Sequence, residues 1–340
     1  MRIRWAFLGL LLASVWTLMR IPGGGEWYAR HIYPVLSNGL SRFSSLFPFS
    51  VGDVFIYGSL GGLIAYAVVC LYRRKGIRRM IRREVEYLAW TYVWFYLAWG
   101  LLYYRADFFT RTSLEKQPYS KEQFDLFLTR YTDSLNASYV TNGNCTEPVV
   151  AHEVKQGYKQ LAAHYGLNKP ADYLRAKPML CSTWMSGVGV LGYVGPFFTE
   201  YNLNRDLLPT QFAATYAHEM AHVLGIANEA EANFFSYKIC TASSVPAIRF
   251  SGYFSLLPYV ISNAHRLLSP TDFKTWKETL RPEIMTLYQE KQAYWNALYN
   301  PFIGRLQAQL YNWYLKGNRI PTGTANYSEV ISLIISESML

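Results

Sequence analysis

The stretch VGDVFIYGSLGGLIAYAVVCLY, Val51 to Tyr72, carries one charged residue, Asp53, near its start. A run this long and apolar meets the roughly 20 residues a helix needs to cross a bilayer core, so it limits every architecture open to the chain. Two other runs share its character. Trp5 to Met19 is unbroken apolar sequence bracketed by Arg2, Arg4 and Arg20, and Val85 to Tyr104 is aromatic-rich and closed by Arg105. The first run would also suit a secretory signal, but the residues that follow, RIPGGGEWYAR, offer no small-residue cleavage site, which favours a retained span. The expectation is three N-terminal transmembrane helices, about 5–19, 51–72 and 85–104, in a transmembrane region 1–104, followed by one large domain, 105–340.

Composition agrees with a chain that is partly in lipid. Hydrophobic residues make up 51% and charged residues 16%, against about 25% charged in a soluble domain. The net charge of +10 is unevenly placed: residues 1–104 hold 12 Lys and Arg against 4 Asp and Glu, and the remainder holds 21 against 19. The basic run RRKGIRRMIRRE, with Arg73, Arg74, Lys75, Arg78, Arg79, Arg82 and Arg83, lies between the second and third apolar runs. A nucleic-acid patch is the rival reading. Wedged between spans, the run is better explained as the positive-inside signal, so the expected partner is the lipid bilayer and no nucleic acid. That rule puts this loop and the N-terminus in the cytoplasm and residues after Arg105 outside it.

Four cysteines are present. Cys70 sits in an apolar run as a small filler. Cys145, Cys181 and Cys240 fall in the region expected outside the cytoplasm, at spacings that match no thiolate metal site. At most one disulfide can form among three, with Cys145 and Cys181 the candidate pair.

The large domain reads as helix-rich with a small sheet. A helix is expected around Phe124, Phe127, Leu128 and Tyr131, capped by Ser120 with Glu122 and Gln123 in its first turn, and another ends at Gly166. His152 and His164 on the latter read as ordinary helix histidines. In KPMLCSTWMSGVGVLGYVGPFFTEYNLN, the glycines 187, 189, 192 and 195 interrupt any helix, and strands with a tight connection are expected. Gly189 and Gly192 would let another backbone approach closely. A phosphate-binding loop is excluded because no Lys follows in the required place. Helical segments then run to residue 317, and a short final helix starts near Tyr327.

The chemistry concentrates in ATYAHEMAHVLGIANEAEANFFS, Ala214 to Ser236. HEMAH is H-E-x-x-H, His218 to His222. On a helix, positions i and i+4 share a face, so both imidazoles reach one metal ion. Glu219 stands one step round, placed to take a proton from an attacking water. The helix is expected from Pro209 and Thr210 onward: Gln211 to Leu224 has no Gly or Pro, and Ala213, Ala214, Ala217 and Ala221 favour helix and close packing. Chance matches to this motif occur, but here a helical context, preceding strands and nearby acids accompany it. A catalytic zinc takes three protein ligands and keeps one position open. Gly225 ends the helix, and Asn228 can cap the next one with Glu231 as a capping box. That leaves Glu229 as the preferred third ligand and Glu231 as the alternative, with Asn228 the weakest donor. Asn233, one turn on, can orient the Glu229 carboxylate. Donors for a developing oxyanion could come from Tyr237, Tyr253, His265 or Tyr327, and nothing in the sequence chooses among them.

HEMAHVLGIANEAEANFF resembles zinc metallopeptidases of the zincin group, and its E-x-x-A-N run, Glu229 to Asn233, resembles the glutamate-bearing helix of gluzincin-like membrane peptidases. The resemblance names Glu229 as the ligand, although the six residues between His222 and Glu229 are fewer than in those families. Along nearly the whole chain, YPVLSNGL, FPFSVGDVFIY, GYVGPFFTEYNLN, HEMAHVLGIANEAEANF and YLKGN resemble a bacterial membrane-protein family known only as a domain of unknown function. That resemblance implies three N-terminal spans and a zincin-like domain at the inner membrane. In zincins an edge strand before the metal helix pairs with an extended peptide; Gly192 to Asn204 is the candidate by resemblance, with a buried hairpin as the alternative. The sequence reading is thus a multi-pass, zinc-dependent peptidase of unknown peptide or protein substrate, His218, His222 and Glu229 on the metal and Glu219 as base. The alternative is a non-catalytic envelope protein that uses the same fold to bind a partner.

Overall fold

The computed structural model describes residues 2–115, 118–141, 143–323, 325 and 329–338. The chain is mostly helical. In order come α1 (Arg2–Arg20), α2 (Gly24–His31), α3 (Tyr33–Ser44), α4 (Val51–Tyr72) and α5 (Ile77–Ala98), then a 3-10 turn over Gly100–Tyr104. There follow α6 (Phe108–Thr112), α7 (Lys121–Ser138), α8 (Glu147–Tyr165), strand β1 (Lys177–Pro178), α9 (Ser182–Ser186), and strands β2 (Gly192–Gly195) and β3 (Glu200–Leu203). The remainder is α10 (Pro209–Val223), α11 (Glu229–Thr241), α12 (Pro246–Leu267), α13 (Pro270–Glu278), α14 (Pro282–Leu298), α15 (Pro301–Gly317) and α16 (Val330–Glu337). The strands form one sheet in the order β1-β3-β2. The chain divides into two compact units. The first comprises 1–106, 173–180 and 194–202, and the second 107–172, 181–193 and 203–340.

Among the described residues two helices, not three, are long and apolar enough to cross a membrane: Ile3–Arg20 in α1 and Val51–Tyr72 in α4. Only 17% and 6% of their apolar windows are buried, whereas a core helix would be mostly covered. The expected third span, Val85 to Tyr104, is divided. Trp99 leaves helical geometry (φ −157°, ψ −40°) and Gly100 to Tyr104 continues as a separate 3-10 turn. The helical part of that run, Val85 to Ala98, is about 21 Å long at 1.5 Å per residue, short of a hydrocarbon core of about 30 Å. The first half of α5 is the Arg-rich run itself.

Within the first unit, α5 nonetheless lies along both apolar helices. It runs parallel to α1, with Arg4 2.8 Å from Glu86 and the Trp16 indole 3.4 Å from the Tyr92 hydroxyl. It lies beside α4 through the Ser59 and Tyr87 hydroxyls, 2.6 Å apart. Near its other end the Trp94 indole donates to the Phe197 carbonyl at 3.1 Å, and the Phe197 ring packs tilted against Phe55, near the start of α4, with centroids 4.8 Å apart. Arg105 forms a two-point ion pair with Glu26 on α2, at 3.0 and 3.2 Å.

The N-terminus of α4 is held by a carboxylate from β3. Glu200 Oε1 accepts from the Gly52 amide at 2.5 Å and the Ser50 hydroxyl at 3.0 Å, and Oε2 accepts from the Val51 amide at 3.3 Å. A helix start leaves its first amides without internal partners and carries partial positive charge, which this anion satisfies. The buried Lys177 of β1 neutralises Glu200 at 2.6 Å and donates its remaining reach to the Ser44 carbonyl. Asp53, the one acid of the span, accepts from the Leu180 amide at 2.9 Å.

In the second unit, α10 is enclosed. Ala213, Ala214, Ala217 and Ala221 are buried, as small side chains allow. Three neighbouring helices each reach its backbone with a hydroxyl. Tyr158 of α8 donates to the Ala217 carbonyl at 2.7 Å, Ser236 of α11 donates to the Ala214 carbonyl at 2.7 Å, and Ser251 of α12 accepts from the Ala214 amide at 3.1 Å. The expected capping box at Ser120 and Gln123 is present on α7, and α8 ends at Gly166. All four cysteines are free, so Cys145 and Cys181 are not bridged.

Replacing Glu200 by Ala strands a buried ammonium at Lys177. We expect Glu200→Ala to cost about 3–5 kcal/mol, as removal of one partner of a buried pair does. Equilibrium unfolding in detergent checks this against Glu283→Ala, whose ion pair with Arg281 is exposed and whose loss should barely move the transition.

Candidate metal centre

The HExxH segment forms the last turns of α10, as its alanines and lack of Gly or Pro predict. His218 and His222 sit one turn apart and point the same way, their Nε2 atoms 3.2 Å from one another. Glu229, the first residue of α11, brings Oε2 to 3.1 Å from His218 Nε2 and 3.4 Å from His222 Nε2. The three donor atoms lie within 4.8 Å of one another, the arrangement of a group that could hold a metal ion.

The six-residue link between His222 and Glu229 is what makes this convergence. Gly225 turns the chain at φ +104°, a left-handed conformation a side chain resists. The turn then returns the Ile226 carbonyl to His222, where Nδ1–H donates to it at 2.7 Å. That bond fixes the tautomer and leaves the Nε2 lone pair toward the centre. Asn228 caps α11 by accepting from the Glu231 amide at 3.1 Å. Glu229 thereby starts a helix, where a carboxylate is favoured. Its outer oxygen, Oε1, accepts from the Tyr311 hydroxyl of α15 at 2.7 Å. Sequence reasoning missed both Ile226 and Tyr311: a backbone carbonyl carries no signature, and Tyr311 lies 82 residues from its partner. Asn233, expected to orient Glu229, lies against Tyr259 of α12 instead.

The charges at the centre are strongly coupled. Burial opposes ionisation of His222, but the adjacent Glu229 outweighs it and raises the imidazole to about 9. Burial likewise opposes the Glu229 carboxylate, and the two histidines hold it well below the usual carboxylate range. In a metal-free centre a proton on His222 supplies the cation that Glu229 requires, and a metal ion takes over that role by displacing it. Glu219 differs. Burial pushes its carboxyl up, only partly offset by His218 and His222.

Glu219 faces β2. A Cβ on Gly192 would stand 2.5 Å from Glu219 Oε1 and 2.6 Å from its Cγ, so only glycine leaves room for this carboxylate. The expected close backbone is corrected: the neighbour at Gly192 is the Glu219 side chain, and a Cβ on Gly189 would meet nothing within 4 Å. The second oxygen, Oε2, is buried without a hydrogen-bond partner among the described residues. An orphaned buried carboxylate oxygen costs free energy and is expected where another species completes the site.

Glu231 points away from this centre and ion-pairs with Arg111 of α6, both side chains nearly inaccessible at 6% and 3% exposure. The expected capping box is corrected accordingly: Asn228 supplies its half, while the Glu231 carboxylate goes to Arg111. Of the oxyanion candidates, Tyr237 and Tyr253 pack edge-on against each other and His265 packs edge-on against Phe273. Tyr327 lies outside the described residues.

Two imidazole nitrogens and a carboxylate oxygen, with His222 and Glu229 steadied from behind, fit a metal ion as ligand set. A family described as "Protein of unknown function (DUF3810)" matches residues 28–335. The chain belongs to the DUF3810 family. No curated protein and no solved structure matches it. The DUF3810 region takes in α10, α11 and α15 and hence the whole His218, His222 and Glu229 cluster.

Two carboxylates two residues apart in this DUF3810 chain should behave oppositely. Glu229→Ala should lose bound metal. Glu231→Ala should keep it while costing about 3–5 kcal/mol, because Arg111 loses its buried carboxylate partner. Elemental analysis beside unfolding curves separates the two. Tyr311→Phe should weaken metal affinity about 10- to 100-fold, as loss of a ligand-orienting hydrogen bond does, measured by competition with a chelator.

Proposed function

We propose that this DUF3810 protein is a membrane-anchored, zinc-dependent peptidase with a zincin-like second unit. The observation that carries the reading is the joint presence of the three converging donors and a buried, unpartnered carboxylate oxygen on the residue next to His218. The two nitrogens and one oxygen suit zinc, which takes such ligands and leaves a fourth position open at catalytic sites. Zinc, when bound, supplies Lewis acidity, polarising a carbonyl and making water acidic near neutral pH. His218, His222 and Glu229 would hold it, with Tyr311 orienting the Glu229 carboxylate through Oε1. Glu219 accepts the proton of the attacking water and passes it to the leaving amine. Burial favours a carboxyl that can hold that proton between the two steps. A module that merely bound a partner would have no use for such an oxygen, which weighs against the non-catalytic reading.

An extended peptide suits the sheet. β2 lies at one edge of the order β1-β3-β2, and its first residue, Gly192, lies against Glu219. Addition of a peptide strand to that edge would bring a backbone carbonyl toward the base.

An inner-membrane location with the site outside the cytoplasm is supported by what lies at the two ends of α4. Arg4, Arg83 and Glu86 meet at one end of the first unit, the end that carries the Arg-rich loop. Glu200 and Phe197 sit at the opposite end, on the start of α4 and near the end of α5. With the Arg-rich end of α4 cytoplasmic, its start, which Glu200 of β3 caps, lies at the outer face. Among the described residues no helix after Tyr72 passes the length and apolarity test for a span.

Two experiments test the proposal. Glu219→Gln should retain zinc and lose hydrolysis of a quenched-fluorescent peptide library by about 10²–10⁴-fold, the usual worth of a general base; activity equal to the unmodified chain would exclude the mechanism. In spheroplasts, an impermeant maleimide should label Lys169→Cys but not Lys75→Cys, and the reverse pattern would place the site in the cytoplasm.

A further inference from the structure

Helix α15 has two apolar faces, and the fold uses only one. Gly304 and Leu315 are buried, and Tyr311 on the same side donates to Glu229. At about 100° per residue, Phe302, Ile303, Leu306, Leu310 and Trp313 occupy the opposite side. All five are exposed, Phe302 to 75% and Trp313 to 71%. A stripe of this length in water is a surface that something covers.

Charge selects the occupant. From Asn300 to Arg319 there is no acidic residue, while Arg305 and Lys316 flank the stripe and are exposed. Bulky apolar residues including Trp on one face, with Arg and Lys beside them and no acid, describe a helix that lies in a membrane interface and attracts anionic headgroups. The inference rests on the proposed membrane anchoring: with the two helices of span length in a bilayer, that bilayer is tethered to the chain at high effective concentration. We infer that α15 is an interfacial helix, docking its Phe302–Trp313 face into the surface of an anionic bilayer. The inference is independent of the metal-site chemistry. Its consequence there is positional: the helix whose inner face steadies Glu229 is anchored by its outer face to lipid, which directs the site toward polypeptide lying at the membrane surface.

The test uses the full chain in nanodiscs containing phosphatidylglycerol, one copy per disc. With Cys145 and Cys181 changed to Ser and the buried Cys70 and Cys240 retained, a spin label is placed at Leu310→Cys and, separately, at Ala293→Cys on α14. Power-saturation measurements compare collision with oxygen, which partitions into lipid, and with a water-soluble nickel chelate. The oxygen-to-nickel ratio should be several-fold higher at position 310 than at 293. Arg305→Glu with Lys316→Glu should reduce that difference. A label at 310 as open to nickel as the one at 293 would overturn the inference, and it is the outcome expected if a second copy or a soluble partner covers this face. No response to the double charge reversal would overturn the assignment to anionic lipid.

Discussion

Two imidazoles and a carboxylate cannot be crowded into one buried spot without a cation to share. His218, His222 and Glu229 do this across a link of six residues, and much of the second unit is arranged around it. The alanine face of α10 lets α8, α11 and α12 close on the helix, which removes water from His222 and Glu229. The left-handed turn at Gly225 sends the Ile226 carbonyl back to one ligand and starts α11 at another. Arg111 draws Glu231 aside, so the neighbouring acid does not add a second negative charge to the centre. Each device is local, and each would be of little use without the others.

The first unit solves a related problem with a different ion pair. A long apolar helix such as α4 must begin somewhere, and its first amides need acceptors. Here the acceptor is Glu200, a residue far along the chain, with Lys177 as counter-ion. The strands that carry these two residues are very short and would not persist alone. Their ion pair and the amides of α4 give them a reason to pair.

Much of this was legible in the sequence where chemistry is local. The i, i+4 histidines, the alanine-rich helix, the Gly225 stop and the Asn228 cap all follow from spacing and side-chain type, whereas the preference for Glu229 over Glu231 leaned on a capping box that is absent and on the E-x-x-A-N resemblance. The third span was misread because hydropathy counts apolar residues without asking where the helix breaks. Trp99 and Gly100 divide the run, and the arginines of α5 occupy the helix that the run needed. The capping box failed for another reason: Glu231 found a guanidinium on α6, a partner no local pattern announces. Tyr311 and Glu200 were invisible because each acts through a contact between segments distant in sequence. The general rule is that ligands clustered within one turn-linked helix pair can be read, while the groups that steady them from elsewhere in the fold cannot.

The centre is most directly tested by zinc K-edge X-ray absorption on the full-length protein purified without added chelator. The account predicts one zinc per chain, with a first shell of nitrogen and oxygen at about 2.0–2.2 Å and the outer-shell scattering of two imidazoles. Substoichiometric zinc in the intact chain, or a sulfur shell near 2.3 Å, would contradict it.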